Sequence, residues 1–179
     1  FHNKFLKYLL NNNNKFKIKN IMSVKKLIEV WDGKNLVEKN IKFLKLKTKK
    51  VHSPFNENIN TILKDLLDTY KKTPCAGIAA NQIGYDRRIF IGLKDDILDK
   101  ENDDKTTQIA KNPNKDNYEF YINPEIDYFS KKSIQDGEEG CLSIPEVRII
   151  AERYDKIKIK YYNANGKKIK KSLSGFMSR

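Results

Sequence analysis

Between residues 55 and 72 the apolar positions Ile59, Ile62, Leu63, Leu66, Leu67 and Tyr70 recur every three or four residues. That period gathers side chains on one face of a helix. Asn and Glu at its front and Lys71-Lys72 at its rear suit the helix dipole, so a helix opening at Phe55-Asn56 is predicted, ended by Thr73-Pro74. Arg88-Ile89-Phe90-Ile91-Gly92 reads as a short buried strand, and Phe120-Tyr121-Ile122-Asn123-Pro124 as a strand that the proline ends. Val147-Arg148-Ile149-Ile150 and Lys156-Ile157-Lys158-Ile159-Lys160-Tyr161 alternate at the two-residue period of a half-buried strand. Asn165-Gly166 predicts a type I′ turn and a hairpin returning through Ile169; residues 172–179 read as a strand end and the approach to a further helix.

Residues 94–118 break this pattern with seven acidic and five basic residues and Asn112-Pro113-Asn114, so a solvated surface insertion is predicted there. Charge is spread as unevenly as hydrophobicity. Of the net +13, residues 1–50 hold 14 Lys against Glu29, Asp32 and Glu38, or +11, and the remaining 22 basic and 20 acidic residues leave +2. A nearly neutral folded part argues against a nucleic-acid-binding face, and no specific nucleic acid partner is expected. Residues 1–40 are taken as a basic leader and 41–179 as one domain, the length allowing no second. The leader has three readings: an organelle transit peptide, a disordered polar tail, or translated sequence upstream of a start at Met22. Lacking a core pattern, it should be removable at little cost in stability. No apolar run approaches the roughly 18 residues of a membrane span.

Chemistry is concentrated in two short strings. Cys75 and Cys141 are too few for a disulfide framework. Cys141 follows Gly140, which permits close backbone approach, and stands near the carboxylate of Glu139, an odd neighbour for a purely packed thiol. A thiolate there suits zinc or iron, although burial as a small hydrophobe is the common fate of a free cysteine. A Cys–His nucleophile is disfavoured because His2 and His52, the two histidines, each stand alone in basic, polar segments. Gln82 closes the string Gly77-Ile78-Ala79-Ala80-Asn81-Gln82. It either caps a turn or offers a neutral amide donor to a carbonyl oxygen. The short side chains before it would let a peptide backbone lie alongside.

These strings carry a family resemblance. Gly77, Ala79, Ala80 and Gln82 match a motif of the form Gly-x-Gly-Leu-Ala-Ala-x-Gln, with Ile78 for Leu and Cys75 at the first Gly. Glu139-Gly140-Cys141-Leu142-Ser143 matches a second motif in full, with Ile122-Asn123-Pro124 before it and Arg148 and Arg153 after it. From about Phe43 to Arg179 the chain resembles the peptide deformylases, metal hydrolases that remove the formyl group from newly made proteins. The family's third motif, His-Glu-x-x-His, does not occur in residues 1–179.

The resemblance implies an α+β fold, with small antiparallel sheets around a central metal-binding helix that this chain lacks. It implies one divalent ion, iron(II) or zinc, bound by Cys141 and by two histidines absent from the chain, together with an absent general-base Glu. Gln82 and the Leu142 backbone N–H would hold the formyl oxygen as it becomes an oxyanion. Gly77 and Gly140 would pair with substrate backbone, Arg148 would touch the peptide beyond the formyl-methionine, and Glu139 would orient its surroundings. The implied partners are an N-formyl-methionyl nascent peptide and the ribosome exit region. The compartment follows translation: cytoplasm in a bacterium, mitochondrion or plastid in a eukaryote with a transit leader. The chain alone is expected to be inactive. The alternative is a non-catalytic formyl-peptide or ribosome-binding relative without the third motif.

Overall fold

A computed structural model describes residues 23–52, 57–96 and 114–179. The predicted helix is α2 (Glu57–Lys72), preceded by a short α1 (Glu38–Leu44) that the apolar pattern did not announce. The strands are β1 (Gly77–Ala79), β2 (Ile89–Gly92), β3 (Glu119–Phe129), β4 (Ile134–Cys141), β5 (Ile144–Tyr154), β6 (Lys156–Tyr162) and β7 (Lys168–Ser174). Single 3-10 turns cover Ala80–Ile83 and Gly175–Ser178. All pairings are antiparallel, in a five-stranded sheet of order β1-β2-β3-β6-β7 and a separate β4-β5 pair.

The apolar stripe of α2 behaves as its spacing predicts. Ile59, Ile62, Leu63, Leu66 and Tyr70 are buried against Ile78, Ile89, Ile91 and Ile122 of the sheet, with Leu67 partly buried beside them. Burial of such side chains, each contributing about 1.5–3 kcal/mol, makes this layer the main stabilising unit. A second cluster of Tyr121, Ile159 and Tyr161 lies on the opposite face of the sheet, where the Phe90 and Tyr121 rings stack with centroids 4.5 Å apart.

Two local expectations are corrected. Pro124 does not end β3, which runs on to Phe129. The ladder to β6 shifts between Ile122 and Glu125, so the residue without an N–H sits where a bulge has already interrupted pairing. Asn123 takes φ +51° there, and its side-chain amide compensates by accepting from Val51 N–H and donating to Val51 C=O. The β6–β7 connection is not type I′. Gly166 N–H bonds Asn163 C=O and Gly166 alone has positive φ, so the loop is an ordinary turn closed by a left-handed glycine.

Residues 23–40, grouped with the leader by charge, are packed. Ser23 N–H donates to Asp68, Lys25 N–H to Thr69 Oγ1, and Leu27 joins the main core. Lys25 Nζ lies 3.2 Å from the buried Asp65, which also accepts from the Tyr85 hydroxyl at 2.5 Å. Burial pushes the Asp65 carboxyl up, but the Tyr85 hydroxyl and the Lys25 ammonium outweigh it and hold the group below the usual carboxylate range. The first 22 residues of the leader, Phe55-Asn56 at the helix entry and residues 97–113 of the predicted insertion lie outside the described residues. Among the described residues no helix is long and apolar enough to cross a membrane.

Candidate active site

The two strings meet across the seam between the sheets. After β1, the backbone turns through Ala80–Ile83, and Gln82 Oε1 accepts the Ala79 N–H at 2.9 Å. That bond spends the amide oxygen on the turn and aims the NH2 group outward. Gln82 Nε2 then reaches Ser143 Oγ at 3.3 Å and lies 3.7 Å from Cys141 Sγ. Gln82 therefore caps its turn and presents a donor as well; the two readings of the sequence are compatible.

Cys141 is the last residue of β4, and Leu142-Ser143 form the turn into β5. Pairing jumps from Gly140↔Arg148 to Cys141↔Ile144, which loops out Pro145, Glu146 and Val147, with Glu146 at φ +66°. The Leu142 N–H thus belongs to the turn and not to the ladder. Its side chain packs on the main core, and Ser143 is fully buried. Two backbone bonds from the packed N-terminal segment hold both strings in place: Ile28 N–H to Gln82 C=O at 2.8 Å and Val30 N–H to Ser143 C=O at 2.9 Å.

Gln82 and Cys141 open onto a groove of about 1000 Å³ that runs between the sheets. Gly77, Glu139, Gly140, Leu142 and Arg148 also line it, so every residue to which the resemblance assigns a role shares one cavity. Among the described residues β1 is the edge of its sheet and β4 has a free edge, so each can accept an added extended segment. Gly77 has a packing reason as well: a Cβ there would sit 2.9 Å from Ile91 O on β2. A Cβ on Gly140 would meet the Arg148 guanidinium at 2.9 Å, and Arg148 itself is exposed, 3.8 Å from Glu138.

Glu139 is held in an arginine clamp. Its oxygens lie 2.7 Å from Arg153 and 3.0 Å from Arg179. The nearly buried Arg179 also donates to Gly137 C=O and Ala151 C=O, and Gly137 leaves the room: a Cβ would sit 2.6 Å from Arg179 Cζ. Ser143, Arg179 and Gly137 are contributors that motif reading missed. The Ser at the end of the second string was the available signal for the first; the other two depend on a contact some 40 residues apart.

The two thiols differ. Cys141 is exposed in the groove, whereas burial pushes the half-buried Cys75 up to about 11, keeping it protonated. Cys75, at the first Gly position of its motif, avoids positive φ, as a side chain there requires. Cys141 is the more exposed of the two sulfurs. Among the described residues no three His, Cys, Asp or Glu converge, and His52 lines a different cleft. These residues offer one ligand of a tetrahedral set and do not by themselves complete a metal site.

The polypeptide deformylase family model matches residues 34–179. A peptide deformylase of Pseudothermotoga lettingae is 32% identical over 136 residues, 76% of this chain and 66% of the relative. One of Desulfotalea psychrophila is 31% identical over 63% of this chain and 57% of its own length, so the chain spans roughly three-fifths to two-thirds of these curated relatives. The crystal structure of the Thermotoga maritima peptide deformylase superposes with a TM-score of 0.64 at 26% identity, covering 87% of this chain and 85% of the other. Motifs that converge on one groove, an α+β fold of small antiparallel sheets shared with solved deformylases, and a family match across most of the chain lead to one conclusion: this chain belongs to the polypeptide deformylase family.

Proposed function

We propose that the whole protein removes the N-formyl group from the formyl-methionine of nascent proteins in a metal-dependent hydrolysis. The observation that carries this reading is the Gln82 amide, fixed at its oxygen by Ala79 and directed with its NH2 toward Cys141 and Ser143 at the groove wall. A donor held in advance beside the reacting carbon suits charge that develops on the formyl oxygen in the tetrahedral intermediate. The turn N–H of Leu142 supplies the second donor. A peptide extended along the groove would add to the free edge of β1 at Gly77 and of β4 at Gly140, with Arg148 reaching its later residues. Glu139 acts through Arg153 and Arg179, which hold the β4–β5 hairpin in register.

In this reading Cys141 contributes one thiolate to a single iron(II) or zinc ion, whose chemistry would be activation of a water. The described residues supply neither its other ligands nor a general base, so no step is assigned through it. Chain 1–179 alone should then be inactive. The second reading, a formyl-peptide or ribosome-binding relative without catalysis, is favoured by that same lack of three converging ligands among the described residues. Site of action follows translation: the cytoplasm for a bacterial protein, a mitochondrion or plastid for a eukaryotic one.

Formate release from formyl-Met-Ala-Ser, assayed on the whole protein with and without added iron(II) or zinc, tests the proposal. Metal-dependent release supports it. Tight binding of the peptide without turnover under either metal would favour the second reading.

A further inference from the structure

The near-neutral total of the residues after Lys50 hides a segregation of charge. Residues 156–174, the β6–β7 hairpin, carry Lys156, Lys158, Lys160, Lys167, Lys168, Lys170 and Lys171 and no Asp or Glu. Strand alternation sorts them. Ile157, Ile159, Tyr161, Ile169 and Leu173 turn inward to the cluster around Tyr121, so Lys156, Lys158, Lys160, Lys168 and Lys170 share the outer face. Lys160 stands directly opposite Lys170 in the ladder, an arrangement that disfavours the sheet unless something neutralises it.

Two carboxylates reach this face. Glu125 and Asp127 of β3 both pair with Lys160, at 3.4 Å and 3.2 Å, and Glu125 also pairs with Lys50 at 2.8 Å. Among the described residues Lys156, Lys158, Lys168 and Lys170 make no ion pair, and all four are exposed. Same-face neighbours are about 7 Å apart along a strand and about 5 Å across strands. Both spacings are shorter than the Debye length of about 8 Å at physiological salt, so the charges act together.

One exposed aromatic ring lies among these lysines. Tyr128, 53% exposed, has Lys158 Nζ 5.6 Å from its ring centre, while Tyr162, opposite Lys168, is half-buried against the main core. At the end of the face Lys50, His52, Glu125, Lys160, Tyr162 and Lys168 line a cleft of about 270 Å³. The hairpin's aliphatic side chains point inward, which leaves it nothing to insert into a lipid surface. Clustered cations beside an exposed ring are instead a pattern that tracks a nucleic acid backbone and offers its bases a face to stack on.

We propose that the outer face of the β6–β7 hairpin binds the phosphate backbone of single-stranded RNA without reading its sequence. The proposal is independent of the deformylase reading, because none of the hairpin's lysines lines the groove.

Fluorescence anisotropy of a labelled oligouridine of about 20 nucleotides, titrated with the full chain at several salt concentrations, tests it. With four unpaired lysines engaged, the logarithm of the binding constant should fall against the logarithm of salt with a slope of about −3. The pair Lys158→Glu and Lys170→Glu should weaken binding at least about tenfold at moderate salt and make that slope shallower. The pair Lys34→Glu and Lys39→Glu makes the same charge change on exposed positions away from the hairpin and should cost far less. Melting curves check that each variant folds; should the glutamates unfold the hairpin, Lys158→Gln with Lys170→Gln carries the test and should still weaken binding several-fold. Equal losses in the two pairs would overturn the proposal in favour of net charge alone. Tighter binding to phosphatidylserine vesicles than to RNA would overturn it in favour of a membrane surface.

Discussion

The two sheets stand at opposite extremes of burial. In the layer of α2 against β1–β3, Leu66, Ile91 and Ile122 are fully buried; on β4 and β5, Ile134, Val147, Ile149 and Ile150 keep from 50% to 73% of their surface exposed. A two-stranded hairpin has little stability of its own. Polar contacts tie this one to the rest: Val30 to Ser143, Gln82 to Ser143, Gln135 to Gly175 and Ser178, and Arg179 to Glu139. Gln82 comes from the packed side of the seam and Cys141 from the open side. Their separation is therefore set by a few hydrogen bonds at the seam, while the core sets the stability.

The largest expected effect lies in the packed layer. Leu66→Ala should destabilise the protein by about 2–5 kcal/mol in urea unfolding, the range for a large core deletion. A loss no greater than that of a surface change would break the comparison. Next comes the contact that fastens the N-terminal segment: Asp65→Asn should cost about 1–3 kcal/mol at neutral pH, since it leaves the Lys25 ammonium without its partner. Its pH dependence has a definite sign. A carboxyl held below its ordinary value contributes stability above about pH 4 and loses it as pH falls through the folded-state value. The variant should therefore show a flatter acid limb than the parent; parallel limbs would mean that Asp65 titrates alike folded and unfolded.

Smaller effects sharpen the seam. Ser143→Ala removes the hydroxyl that receives Gln82 and should cost about 1 kcal/mol. Ile150→Ala, on the open hairpin at 73% exposure, should stay within about 0.5 kcal/mol. A much larger loss there would show that this face is covered in solution.

Sequence periodicity disclosed α2 because one face of a helix is buried along its whole length, a signal that 3.6-residue spacing carries without any partner. It disclosed β6 by alternation for the same reason. Pro124 misled because the absence of an N–H matters only where the ladder needs one, and the bulge at Asn123 had already removed that need. The N-terminal segment was hidden because backbone N–H groups at Ser23, Lys25, Ile28 and Val30 fasten it, and backbone bonds leave no mark on composition. In the candidate site, Gln82 and Cys141 were legible from their motifs. The Arg179 clamp on Glu139 was not, because the glycine and carboxylate of β4 meet the arginine only where the turn after β7 docks on that strand.

Gln82 and Cys141 line one groove, and the proposed function gives them different tasks. Metal content per chain and formate release, measured together on Cys141→Ala and Gln82→Ala of the whole protein, test it most directly. Cys141→Ala should lose both the metal and turnover. Gln82→Ala should keep the metal and lose a factor of roughly a hundred to a thousand in turnover, the effect of removing one donor to a developing oxyanion, about 3–4 kcal/mol. Stoichiometric metal with near-normal turnover in Cys141→Ala would contradict the account and return Cys141 to an ordinary thiol at the end of a strand.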